Sequence, residues 1–144
     1  MPDQSHSLTG ACLCGAVRYR YDGPLGGALG AVTLCHCREC RRAQGYGSAA
    51  APALATGFTV VKGADAVREY ESSQGKKRAF CGVCGSPLYS RRDAHPAAIR
   101  LRLGAIDETP PSLRIEAHIF AADAAPWSII AGAPAYAGLE PERG

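Results

Sequence analysis

Large apolar residues are scarce in this sequence, and no long run of them occurs. Among 144 residues there is one Trp, one Met and three Phe. Leu, Ile, Val and Phe together number 26, matched by 26 alanines, so the 47% hydrophobic fraction overstates the material available for a core. No stretch approaches the roughly 20 apolar residues that a membrane helix requires. The opening MPDQSHSLTG lacks a basic segment followed by an apolar run, so no secretory leader is expected and a cytoplasmic location is.

An excess of one charge is also missing. The net charge is +3, from 16 basic and 13 acidic residues. Seven basic and six acidic residues fall up to Ser72, and nine and seven after it. Such dispersion lacks the basic stripe of a nucleic-acid binder, and no nucleic-acid partner is expected. Disorder would combine low hydrophobicity with high net charge, which this chain does not have. The length fits one domain with a lean core, for which cross-links or metals can supply what apolar burial does not.

Seven cysteines are what the sequence has in place of that bulk. Thiols stay reduced in the cytoplasm, so metal binding is the leading account of them. They form three groups: Cys12 and Cys14; Cys35, Cys37 and Cys40; Cys81 and Cys84. A structural zinc takes four ligands, whereas a reactive zinc keeps three and an open position, so seven divides naturally into four plus three. In Cys81-Gly82-Val83-Cys84-Gly85, two thiolates three residues apart can reach one ion, and a positive φ at Gly85 would turn backbone amides toward the sulfurs. Cys12 and Cys14 can complete that site, with Gly15 easing the necessary bend. Cys35-His36-Cys37-Arg38-Glu39-Cys40 offers three thiolates without a fourth cysteine. It is the candidate reactive centre, with two zinc ions expected per chain. A histidine (His36, His95 or His118) could instead close it as a purely structural site, and His36, between two ligands, is the least suited. His36 is also the one conjectural general base. Neither ferredoxin spacing is present, and the C-x-x-C lacks the βαβ context of a thioredoxin-type motif.

An open zinc position can acidify a bound water, hold an incoming thiol as thiolate or polarise a carbonyl. Three thiolates on Zn²⁺ leave one negative charge, and Arg38, Arg41 and Arg42 stand close in sequence to offset it. Arg38, Arg41 and Arg42 could also pair with substrate carboxylates, and Tyr46 lies nearby. His118 reads as a satisfied half-buried residue, Trp127 as core, and Lys76-Lys77-Arg78 as a solvated strand face that could attract acidic ligands.

The rest of the chain reads as mostly antiparallel β. Alternation at Val17, Tyr19 and Tyr21 against Arg18 and Arg20 predicts a half-buried strand, as do Ile99, Leu101 and Leu103 against Arg100 and Arg102. Residues 113–119 alternate likewise. Shorter strands are expected at 31–35, 58–62, 67–71 and 76–80, and loops at 23–30 and 49–55. One helical turn is expected at 39–44 and another short piece at 121–130. The chain from 132 on reads as irregular.

Three ordered blocks carry a family likeness: Gly10-Ala11-Cys12-Leu13-Cys14-Gly15-Ala16-Val17, Cys35-His36-Cys37-Arg38-Glu39-Cys40-Arg41-Arg42, and Phe80-Cys81-Gly82-Val83-Cys84-Gly85. With His118-Ile119, Trp127 and Pro134-Ala135-Tyr136, they resemble the glutathione-dependent formaldehyde-activating enzymes, whose domain is shared with centromere protein V. The resemblance implies a mainly β fold, the β-tent of twisted antiparallel sheets with little helix, over residues 10–136, flanked by a flexible 1–9 and a tail at 137–144. It implies a structural zinc on Cys12, Cys14, Cys81 and Cys84 and a second zinc on Cys35, Cys37 and Cys40 facing the substrate. The implied activity is carbon–sulfur lyase-type condensation of glutathione with formaldehyde, giving S-(hydroxymethyl)glutathione. The alternative is a non-catalytic zinc domain that binds a thiol adduct or a macromolecular partner. Exposed strand edges would permit a homo-oligomer without identifying an interface.

Overall fold

The computed structural model describes residues 5–128 and 133–143. Its strands are β1 (Ser5–Ala11), β2 (Arg18–Pro24), β3 (Thr33–Cys35), β4 (Ser48–Leu54), β5 (Phe58–Lys62), β6 (Val67–Ser73), β7 (Lys76–Cys81), β8 (Pro87–Arg92), β9 (Ala98–Arg102) and β10 (Ala117–Ile119). A single α-helix among the described residues, α1 (Arg38–Gln44), follows β3, and the remaining helical pieces are 3₁₀ turns. The strands form a three-stranded sheet, β1-β2-β5, and a seven-stranded sheet, β10-β3-β4-β9-β8-β7-β6. Every pairing is antiparallel except β10 with β3. The mainly β expectation with little helix is met.

Alternation in β2 works as its sequence suggests. Val17, Tyr19 and Tyr21 are fully buried, while Arg18 and Arg20 face solvent. The Tyr21 hydroxyl donates to the Pro24 carbonyl and accepts the Leu54 N–H at 3.0 Å, tying the small sheet to β4. The Tyr19 ring crosses Gly10 of β1, where a Cβ would lie 2.2 Å from a ring carbon. Only glycine leaves room for that aromatic, so Gly10 is a packing residue.

Four expectations are corrected. Residues 5–9, expected within a flexible 1–9, belong to β1, because Leu8 is buried and all seven residues of the strand pair with β2. Residues 49–55, expected as a loop, are mostly β4, a central strand whose Ala50, Ala51 and Ala53 are buried. Pro52 is tolerated there because its carbonyl accepts the Gly26 N–H, so its missing donor faces away from β9 and breaks no β4–β9 bond. Of the strand expected at 113–119, only β10 forms. The Glu116 carboxylate takes the Val32 N–H at 2.9 Å, replacing the regular ladder just before it, while Leu113 and Ile115 pack on the core. Trp127 is also not core: it is 55% exposed and rests against Tyr46 with ring centroids 5.6 Å apart. Of residues 121–130, the described part forms a 3₁₀ turn at Ala121–Asp123, and Ile129 and Ile130 lie outside the described residues.

The large sheet has two unlike faces. Ala51, Leu101 and Tyr89 form a cross-strand row on the face that packs with Tyr19, Tyr21 and Leu25 into the main core. The opposite face carries Cys35 beside Ser48, Arg102 beside Ala50 beside Thr33, and Arg100 beside Ser90 beside Arg78. Period-2 geometry sends these side chains together away from the core, into a cavity. Of the two smaller apolar clusters, one includes Cys12 and Cys81 and the other is built on Cys35, Cys40 and Ile119. Sulfur therefore fills much of what a richer sequence would fill with leucine.

Candidate metal centres and the basic cavity

Two loops form the four-sulfur group. The turn after β1 carries Cys12 and Cys14, and the turn between β7 and β8 carries Cys81 and Cys84. Gly15 (φ 79°) and Gly85 (φ 83°) occupy the left-handed region that lets each turn close. Their N–H groups donate to the carbonyls of Cys12 (3.2 Å) and Cys81 (2.7 Å). Leu13 N–H donates to the Ser86 hydroxyl at 2.8 Å, holding the loops face to face. All four Sγ atoms lie within 4.8 Å of one another. Cys12 and Cys14 are 3.6 Å apart, and Cys14 and Cys81 3.9 Å. Backbone N–H groups of Val17 and Val83 point at the sulfurs of Cys12 and Cys81, at 3.2 and 3.3 Å. Ser86, through its hydroxyl and backbone, brings the Cys84 thiol down to about 5. Such donors favour thiolates, the form that binds metal.

The three-sulfur group sits where β3 runs into α1. Cys35 ends β3. Cys37 is the helix N-cap, its sulfur accepting the Cys40 N–H at 3.3 Å, and Cys40 lies one turn into the helix. Glu39 in the first turn and Arg41 and Arg42 in the last suit the helix dipole, and Gly45 closes the C-terminus in the left-handed conformation. The three Sγ atoms lie within 4.8 Å, so both groups could hold metal ions. Hydrogen bonds from Cys35 and Cys37, and Arg78 beside it, hold Cys40 far below the usual thiol range.

No histidine joins the three sulfurs among the described residues. His36, 1% exposed, turns away: its Nε2 meets His118 Nδ1 at 2.9 Å in a buried pair. His95 lines a neighbouring cavity. His118 is thus satisfied as expected, though fully buried, and the ring that satisfies it was the conjectural base.

The three sulfurs form one wall of a cavity of about 330 Å³. Arg38 lines it; Arg41, Arg42 and Tyr46 do not, and Arg41 donates to the Asp123 carbonyl at 3.3 Å. Of the Lys76-Lys77-Arg78 run read as a solvated face, Lys76 and Arg78 line the cavity floor, while Lys77 pairs with Asp93 at 2.7 Å outside it. Arg78 of β7 is 9% exposed, and its Nη1 and Nη2 both reach Cys40 Sγ at 3.5 Å. It also meets Glu39 at 3.5 Å, and the Cys40 thiolate raises its affinity for protons despite burial. Arg102 of β9 is 5% exposed. Burial pushes Arg100 and Arg102 down to about 10 and Lys76 to about 8. Strand alternation did mark Arg100 and Arg102, but nothing in their spacing told an open face from an enclosed one. An adjoining cavity of about 600 Å³ shares Lys76, Ser90, Arg92 and Arg100 with the first.

Comparison with known proteins agrees with this geometry. The family profile "Glutathione-dependent formaldehyde-activating enzyme" matches residues 7–123, and the chain belongs to that family. A Halomonas elongata protein named "Putative glutathione-dependent formaldehyde-activating enzyme" is 29% identical over 126 residues, spanning 83% of this chain and 78% of that one. A crystal structure of a Rhodobacter sphaeroides protein, 28% identical, superposes with a TM-score of 0.59 over 72% of this chain and 92% of its own. Among the described residues, no helix is long and apolar enough to cross a membrane.

Proposed function

We propose, from this family membership, that the protein is a zinc-dependent carbon–sulfur lyase-like enzyme joining a small thiol such as glutathione to a carbonyl such as formaldehyde. The observation that carries the reading is the convergence of Cys35, Cys37 and Cys40 on the wall of a basic cavity.

Zinc suits both groups. A tetrahedron with Zn–S bonds of about 2.3 Å has edges of roughly 3.8 Å. The 3.6 and 3.9 Å separations in the four-sulfur group support a closed structural site there. Three thiolates with a cavity in front match the ligand set of an open site. When bound there, zinc would supply Lewis-acid polarisation and stabilise a thiolate. Seven unpaired thiols also suit the reducing cytoplasm.

The chain's own residues do the rest. Arg78 fixes Cys40 and offsets the negative charge of three thiolates on a divalent ion. The cavity brings thiol and carbonyl together, which lowers the entropic cost of their meeting. A sulfur lone pair forms the C–S bond, the C=O π pair moves to oxygen, and the proton lost by the thiol ends on that oxygen. Nothing is oxidised or reduced. His36, enclosed against His118, is out of the substrate's reach and serves as structure.

Exchange NMR of glutathione and formaldehyde with the zinc-loaded protein tests the reading. Adduct formation is expected to exceed the spontaneous rate, and Cys40→Ser to return it to that rate. Saturable binding of the adduct with an unchanged rate would overturn the enzyme in favour of a binding module.

A further inference from the structure

Lys76 stands on the cavity face of β7, two residues before Arg78 and so about 7 Å from it along the strand. It lines both the cavity walled by the three sulfurs and the adjoining one. The chain has only three lysines, and their surroundings differ. Lys62, at the end of β5, is exposed. Lys77 takes the other face of β7 and pairs with Asp93 at 2.7 Å. Lys76 is half-buried, and among the described residues its ammonium forms no ion pair or hydrogen bond.

Its neighbours on that face are cations. Arg92 lies directly opposite on β8, Arg78 follows on β7, and Arg102 of β9 adds to the repulsion. The Cys40 thiolate opposes them, but Arg78 already presents both Nη atoms to that sulfur. Of the two carboxylates lining the cavity, Glu39 meets Arg78 at 3.5 Å and Asp123 is exposed. Burial first, and then these guanidiniums, bring Lys76 down to about 8, against about 10.4 for a free lysine. A desolvated amine beside other cations is the state in which lysine attacks carbonyls.

We propose that Lys76 captures the carbonyl substrate covalently, as an imine, in the cavity where the three sulfurs meet the thiol. The inference rests on the thiol–carbonyl reading above and gives the carbonyl a binding residue, which that reading leaves open. The nitrogen lone pair forms a C–N bond, the C=O π pair moves to oxygen, and a proton passes from nitrogen to that oxygen. The resulting carbinolamine loses water to leave the imine. Water adds back to return the free amine and the carbonyl, which the thiol then takes. One water is released and regained, and nothing is oxidised or reduced. The substrate class favoured is a small aldehyde, held at the site instead of being lost to solvent as its hydrate.

Reductive trapping of the zinc-loaded protein tests this. Limiting formaldehyde with cyanoborohydride converts each imine to a methylamine, and tandem mass mapping compares the three lysines. Lys76 is expected to be methylated at least about tenfold faster than Lys62 or Lys77 at neutral pH, because far more of it is free amine. Lys76→Arg keeps the positive charge and lacks the nucleophile. It should retain the parent's zinc content, bind glutathione within about twofold of the parent by isothermal titration, and accelerate glutathione–formaldehyde exchange at least about tenfold less. Equal methylation of the three lysines, or undiminished acceleration by Lys76→Arg, would overturn the proposal. An about tenfold loss of glutathione affinity in Lys76→Arg without preferential methylation of the parent would also overturn it, making Lys76 an anchor for an anion. Preferential methylation of Lys76 in a parent that gives no acceleration would keep the carbonyl site and remove the lyase reading. Acceleration by the parent with no preference for Lys76 would do the reverse.

Discussion

Arg78 presents both terminal nitrogens of its guanidinium to the Cys40 sulfur at 3.5 Å and gives Nε to the Ser72 hydroxyl at 2.9 Å. β7 is thereby bolted to α1 through a metal-ligand candidate. Groups that hold and polarise a ligand typically matter to metal affinity by tenfold to a hundredfold. Arg78→Lys keeps the charge and loses the fork. Chelator competition should then show the three-sulfur site weakened by about tenfold or more and the four-sulfur site unchanged. Equal weakening of both sites would show that Arg78 acts on the whole fold instead.

The His36–His118 pair predicts a stability effect. Among the described residues His36 Nδ1 already lacks a partner, and the 2.9 Å contact with His118 serves its other nitrogen. His118→Ala would leave both ring nitrogens of His36 buried and unmatched. The cost expected is about 1–3 kcal/mol, read from urea denaturation of the zinc-loaded protein. A variant as stable as the parent would mean that this pair contributes nothing.

A third prediction concerns acid. Arg91 donates from Nε and Nη2 to the two Glu69 carboxylate oxygens at 2.8 Å, and the Tyr89 hydroxyl adds a contact at 3.0 Å. The Arg91 bonds, with help from Tyr89, hold the Glu69 carboxyl below its ordinary range. A depressed folded value stabilises the protein above the unfolded pKa, near 4.3 for glutamate, and that contribution is lost as pH falls through the folded value. The pair is partly exposed, so about 0.5–1 kcal/mol is expected. Melts across the acid range should show Glu69→Gln less stable than the parent at neutral pH, with the gap closing on acidification. A gap independent of pH would remove the Glu69–Arg91 pair as its cause.

Much of this architecture was legible in the residues. The alternation of Val17, Tyr19 and Tyr21 located a strand and its buried face, and cysteine counting divided the sulfurs as the fold assembles them. The misreadings have physical causes. β4 hides in the sequence because Ala50, Ala51 and Ala53 are too small to signal a strand, yet a central strand flanked on both sides needs small residues. Trp127 signals core by its type alone. Arg78, Arg100 and Arg102 look solvated because alternation reports which face a side chain takes, and only tertiary folding of α1 over the sheet turns that face into a cavity. His36 and His118 are 82 residues apart in sequence, and no local pattern predicts their meeting.

The central claim is a division of labour: four sulfurs hold the fold and three face a substrate. Native mass spectrometry with thermal melting on Cys81→Ser and Cys40→Ser tests it directly. The parent should carry two zinc ions. Cys40→Ser should retain one ion and a cooperative melt near the parent's. Cys81→Ser should lose the fold, since a structural zinc site contributes on the order of 10 kcal/mol. One zinc ion in a fully occupied parent, or equal damage from the two substitutions, would contradict the account.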